Sequence, residues 1–165
     1  MMAPDYFQTL ARYNTWANTR LYDAAAELPE AAYRAPRPAA YFTSLQGTLN
    51  HILVGDLVWM ARFEGVDHGL TSLDEPLHEE LGALRAAREA EDRRIEAYTD
   101  ALTPEAIAGD LTFRLIVRPE DMTMPLSLAL AHLFNHQTHH RGQAHALLKE
   151  AGLEPPPLDL VFYLR

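Results

Sequence analysis

The 165-residue chain has no cysteine. That absence removes disulfides, thiolate metal sites and a catalytic thiol in one step, and it suits a reducing compartment. No apolar run approaches the roughly 18 uninterrupted residues of a membrane span. The start, from Met1 to Tyr13, lacks the basic stretch and apolar block of a signal peptide. Basic residues are scarce, 14 against 23 acidic ones, for a net charge of −9. A phosphate backbone requires a basic surface, so a general nucleic-acid partner is not expected. Glycine is sparse too, with 8 residues against 48% hydrophobic ones, which argues against disorder. These absences lead to a soluble, cytoplasmic protein with neither a membrane nor a nucleic-acid partner.

What is present is helical periodicity. The length suggests one domain, residues 1–165, with a substantial core. A first helix is predicted from about Pro4, in the favoured first position after Ala3, to about Glu27, where Leu28-Pro29 ends it. A Pro- and Ala-rich loop, residues 35–40, follows. The second helix starts behind Thr43 or Ser44, both good caps, and stops near Gly65. Leu45, Leu49, Ile52, Trp59, Met60 and Phe63 form its apolar stripe. The third spans roughly Pro76 to Leu102, with Leu77, Leu81, Leu84, Ile95 and Tyr98 inward and the charged run Glu89–Glu96 read as a solvated face.

After a short turn at Thr103-Pro104-Glu105, residues 111–118 and 122–124 read as a small β-hairpin turning at Pro119-Glu120-Asp121. The fourth helix begins behind Pro125 or Ser127 and ends with Gly152 just past its last turn. Pro155–Pro157 forbids continuation. The apolar tail from Leu158 to Arg165 should dock on the body. The fold class is therefore all-α, a four-helix bundle with crossover connections and a hairpin between the third and fourth helices. The Pro-rich and hairpin connections are the ones able to carry the chain across the bundle.

Five of the eight histidines fall between His132 and His145, inside the fourth helix. At 100° per residue, Leu126, Leu130, Leu133, Ala144, Leu147 and Leu148 mark its buried side. His140 lies roughly 40° from that direction and His136 roughly 80°, whereas His132, His139 and His145 lie about 100° or more away. The two nearest the core are also four residues apart, which puts two imidazoles one above the other on a single face. A zinc-like ion normally takes three or four protein ligands, so a third must come from elsewhere. His51, on the flank of the second helix, is the best candidate. His68 and His78 lie in or beside the polar stretch 64–76 and read as wet loop residues.

Three strings carry a family resemblance: Tyr13 to Leu21, Leu45 to Gly65, and His132 to Gln143 with its N-H-Q-T-H-H-R-G-Q core. Together with the ending Leu158–Arg165 they resemble the DinB-like (DinB/YfiT) superfamily over nearly the whole chain. The resemblance implies a four-helix bundle holding one divalent metal ion, zinc or nickel, on three histidines. These map onto His51, His136 and His140. It also implies an enzyme that uses a low-molecular-weight thiol, such as bacillithiol or mycothiol, to transfer a group to or from a small-molecule substrate. Two alternatives stand beside it: a metal-dependent hydrolase, and a non-catalytic or sensory metal-binding protein of the stress or DNA-damage response.

Three neutral imidazoles leave an ion its full charge and an open position, where water or an external thiol is activated. With no cysteine in the chain, any thiol must be borrowed. Asn50, Asn135 and Asp56 are candidates to orient an imidazole. Asp56 could equally be a surface acid or pair with Arg62. Arg141 reads either as an anion-binding group or as a structural residue near a dimer contact. The apolar Val161–Leu164 suggests a homodimer.

Overall fold

The structure, a computed structural model, describes residues 4–38, 40–74, 76–116, 118 and 120–165. In chain order it contains α1 (Pro4–Ala26), α2 (Glu30–Arg34), α3 (Leu45–Glu64), α4 (Leu81–Asp100), α5 (Pro104–Ile107), β1 (Asp110–Arg114), β2 (Asp121–Pro125), α6 (Leu126–Glu150) and α7 (Leu160–Tyr163). The four long helices are those the periodicity predicts, and their ends follow from local chemistry. At the start of α3 the Ser44 hydroxyl accepts from the Gly47 N–H at 3.0 Å. At its end Gly65 takes a left-handed conformation, φ 68°, that costs a residue without Cβ little. Gly152, at φ 95°, follows α6 in the same role. Ala3, the expected residue before the first helical position, lies outside the described residues.

Three elements differ from expectation. A short helix, α2, follows Pro29 and buries Tyr33 in the core. Helix α4 begins at Leu81 rather than near Pro76, because Asn50 on α3 captures both backbone groups of His78. Its Oδ1 accepts the His78 N–H at 3.0 Å and its Nδ2 donates to the His78 carbonyl at 2.9 Å, holding that segment extended. The antiparallel hairpin pairs Asp110 with Pro125 through to Arg114 with Asp121, so its first strand stops short of residue 118. Val117, in the expected first strand, and Pro119, in the expected turn, lie outside the described residues.

The core has two apolar clusters, and the order in which each helix meets them gives its direction. One cluster contains Phe7 of α1, Met60 of α3, Ile95 of α4 and Leu130 of α6; the other contains Leu21, Leu49, Leu84 and Leu148 of the same helices. Hence α1 and α6 run one way while α3 and α4 run the other. The neighbouring pairs around the ring are α1–α4, α4–α3, α3–α6 and α6–α1. Parallel α3 and α4 require the chain between them, residues 65–80, to travel the length of the bundle. That segment, rather than the Pro-rich or hairpin connections, is the crossover.

Between the clusters lies a buried polar layer that joins all four helices. The Arg88 guanidinium donates to Asp56 at 2.6 Å and pairs with Asp92 at 3.0 Å. Asn18 donates to Asp92 at 3.0 Å. Arg141 donates to Asn14, to Asn18 at 3.2 Å and to Gln137 at 3.2 Å, and Gln137 in turn donates to Asp56. Two carboxylates thus face two guanidiniums, and the desolvation of each charge is offset by partners in place. Two sequence readings change here. The run Glu89–Glu96 is not wholly solvated, since Glu91 and Asp92 are buried together with Arg88 just before it. Asp56 pairs with Arg88 rather than Arg62, whose guanidinium instead sits over the Trp59 and Phe113 rings. Of the two readings of Arg141 the structural one holds, since it is a buried member of this layer.

The C-terminal tail docks by one edge. Leu158 accepts a hydrogen bond from the Tyr13 hydroxyl at 2.7 Å, and Tyr163 packs against Tyr13 and Trp16. Val161, Phe162 and Leu164 remain exposed. No helix among the described residues is long and apolar enough to cross a membrane.

Candidate metal centre

His136 and His140 stand one turn apart on α6, and His51 faces them from antiparallel α3. The His51 Nε2 lies 3.2 Å from the Nε2 of His136 and 3.2 Å from that of His140. Two nitrogens bound to one tetrahedral ion at about 2.0–2.1 Å would be about 3.3 Å apart, so the separation fits a shared cation. Among the described residues these three form the one group of histidine and acidic side chains close enough to hold an ion. No carboxylate joins them. His51 is buried and the α6 pair half-buried.

The far side of each ring decides which nitrogen faces the centre. His51 Nδ1 lies 3.0 Å from the Leu73 carbonyl, which can only accept, so Nδ1 carries the proton and Nε2 presents its lone pair. His140 Nδ1 lies 2.8 Å from Gln143 Oε1 with the same consequence, and the Gln143 amide continues to His139 Nε2 at 3.2 Å. His136 Nδ1 has no hydrogen-bond partner among the described residues. Its ring is placed sterically: a Cβ built on Gly55 would lie 2.6 Å from His136 Cε1, so α3 must carry glycine there for the ring to fit. Phe42 completes the surround, stacked on His51 with centroids 3.7 Å apart and edge-on to His140 at 5.5 Å.

All three rings are held neutral. Burial, then the neighbouring His140 and His51, push the His136 imidazole down to about 3. Burial also lowers His51, against the opposing bond to Leu73, and lowers His140. Neutral imidazole is the form that ligates metal. Leu73 and Gln143 turn the lone pairs of His51 and His140 to the centre and His136 adds a third Nε2, so the donor set fits a divalent cation of the kind that takes nitrogen ligands.

The structure brings together the three residues read from the sequence and leaves the others out. His132 and His139 are exposed, and His145 is tied to the Pro156 carbonyl at 3.1 Å. Of the candidate orienting residues, Asn50 acts only through the crossover segment it holds, Asn135 is exposed, and Asp56 belongs to the polar layer. The true orienting groups are Leu73 and Gln143. Gln143 was legible, since a residue three past His140 shares its face. A glycine inside a helix one turn after His51 also signals close approach. The backbone carbonyl of Leu73 and the ring of Phe42 leave no signal in local spacing. The stretch 64–76, read as wet loop, therefore buttresses the site.

Comparison with known proteins agrees with this architecture. The model of the DinB family matches residues 1–165. The chain is 32% identical over 167 residues to Protein DinB of Bacillus subtilis (strain 168), covering 97% of this chain and 94% of that protein. The crystal structure of a DinB-like protein from Bacillus cereus ATCC 10987 superposes with a TM-score of 0.66 at 24% identity, over 88% of this chain and 91% of that one, a likeness of fold. A helical bundle with this small hairpin, these three histidines and a family match from end to end lead to one conclusion: the chain belongs to the DinB family.

Proposed function

We propose that this protein is a metal-dependent enzyme of the thiol-dependent transferase type, with one zinc or nickel ion on His51, His136 and His140. The observation that carries the reading is the convergence of three neutral Nε2 atoms with no fourth protein ligand among the described residues. A divalent ion held there supplies Lewis acidity that favours the thiolate over the thiol, or hydroxide over water. The chain's own part is to present the lone pairs and keep them unprotonated. Leu73 and Gln143 fix the tautomers, Gly55 admits the His136 ring, and burial excludes the competing proton. Because the chain has no cysteine, the nucleophilic sulfur comes from a small external thiol. The same reading takes the protein as cytoplasmic, without nucleic-acid or membrane partners. It also takes it as a homodimer joined through the exposed Val161, Phe162 and Leu164.

Metal analysis of protein purified without a nickel column should find about one ion per chain. His51→Ala, His136→Ala or His140→Ala should each bring that near zero, while His132→Ala and His145→Ala leave it intact. A screen of small thiols with electrophilic acceptors should then show turnover that tracks metal content. Full metal content with no thiol transfer, but with hydrolysis of an ester or amide panel, would replace the transferase by a hydrolase. A monomeric mass by light scattering at micromolar concentration would remove the dimer.

A further inference from the structure

The cover over the three imidazoles is built under strain. Phe42 lies face-on to His51, its plane within 17° of the imidazole, and presents an edge to His140. The next residue, Thr43, has φ 65°, a left-handed conformation that β-branched side chains avoid. The chain is nevertheless pinned there. The Arg37 N–H donates to the Thr43 carbonyl at 2.6 Å, and the Ser44 N–H donates to the Phe42 carbonyl at 2.8 Å. That carbonyl lies so close to α3 that a Cβ on Gly47 would be 2.0 Å from its oxygen. A strained backbone held in place by its surroundings is the kind found at clamps and switches.

Two clefts flank the cover, and neither opens on all three nitrogens. One, of about 340 Å³, is lined by Phe42, Asn50, His51 and Asp74 among others. The second, of about 460 Å³, is lined by Thr48, Gln143 and Leu147. Both are of a size that takes small organic ligands. Tyr41, 80% exposed, walls both of them. His136 and His140 line neither. Phe42 walls the first cleft together with His51, whose ring it covers.

We propose that Phe42 is the gate and size filter of the metal centre. Stacked on His51, it admits water-sized and small thiol ligands. Rotated away, with the strain at Thr43 released, it opens the adjoining cleft to the three nitrogens and lets a bulkier thiol reach them. The proposal rests on the metal-site reading of His51, His136 and His140.

The test uses the full-length protein loaded with cobalt, whose sulfur-to-metal charge-transfer band reports thiol arrival without any turnover. Stopped-flow mixing with 2-mercaptoethanol and with 2-naphthalenethiol gives a rate ratio for each variant. The ratio between variants cancels the intrinsic reactivity of the two thiols. Phe42→Ala should hold as much cobalt as the wild type, yet accept the bulky thiol about tenfold faster with little change for the small one, because the competent population rises. Thr43→Gly should move the ratio the other way, since glycine relieves the strain and keeps the ring stacked. Phe42→Leu, which keeps apolar volume, serves if Phe42→Ala fails to fold and should give the same direction. Equal ratios in all variants with cobalt fully bound would overturn the gate and leave the metal site standing. A wild-type protein that binds no cobalt would overturn both.

Discussion

Helix α6 carries two polar pairs at the same spacing, offset by one residue, and buries them in opposite ways. Gln137 and Arg141 point into the bundle and join a set of bonds in which Arg88 pairs with Asp56 and Asp92 while neutral amides meet Asp56 and Arg141. His136 and His140 point toward α3, where their Nε2 atoms meet only another imidazole. Gln137 reaches Asp56 of α3 and Arg141 reaches Asn14 and Asn18 of α1, whereas the histidines face His51 of α3. The first set finds its partners within the protein. The second collects lone pairs of one sign, and its completion lies in a cation. A buried polar group with internal partners speaks for architecture, and one without them speaks for binding.

The comparison breaks most visibly at Arg88. Arg88→Met removes the cation from Asp56 and Asp92 and leaves two buried carboxylates facing each other, at a cost of about 3–5 kcal/mol. Urea unfolding should show that loss, and the protein that remains folded should still bind one ion. The mirror image is Gly55→Ala, which should leave stability nearly unchanged. Its Cβ, 2.6 Å from His136 Cε1, displaces that ring and should lower metal affinity on the order of 100-fold by competition with a chelating dye. Equal metal affinity in Gly55→Ala and wild type would mean that the ring has freedom the packing denies.

Gln143→Leu sharpens the distinction further, because it frees the His140 tautomer without touching a ligand. Metal affinity should fall about 10-fold, and urea unfolding of the metal-free protein should scarcely change. The smallest effect is a pH dependence. The folded His136 imidazole titrates near 3 while the unfolded one titrates near its ordinary 6.5. Between those values the unfolded chain binds the extra proton, so stability of the metal-free protein falls as pH drops below about 6.5. Asp56 acts with the opposite sign, since burial, against the pull of Arg88, pushes its carboxyl up to about 7, so its contribution is lost as pH rises through that value. The clean measurement is therefore a difference. Thermal unfolding of His136→Asn should lose less stability between pH 6.5 and 4.5 than the wild type does, and parallel curves would remove the claim.

The four long helices, the hairpin and the three histidines that come together were legible because each rests on short-range rules. Ser44, Gly65 and Gly152 act within one turn of their own helix, and a four-residue spacing places His136 over His140 whatever surrounds them. The inward direction of that pair followed from Leu126, Leu130, Leu133, Leu147 and Leu148 of the same helix, all of which are buried. Local pattern failed where partners came from afar. Glu91 and Asp92 looked solvated because their run is charged, yet Asp92 is buried against Arg88 and Asn18, and Arg94 answers Glu91. Arg141 stayed open between an anion-binding and a structural role because its partners Asn14 and Asn18 sit more than a hundred residues earlier.

The sequence by itself determined the four long helices, that no thiol of the chain takes part in chemistry, and which three imidazoles have the spacing and the face to share an ion. Only the tertiary structure decided the rest. It set the parallel course of α3 and α4 and the crossover that brings the Leu73 carbonyl behind His51. It also set the charge-balanced layer across the bundle and the placement of Phe42 over the site. The reason is physical: spacing along a helix fixes which side chains share a face, whereas a hydrogen bond or a stacked ring between remote segments exists only once the chain has closed the loops between them.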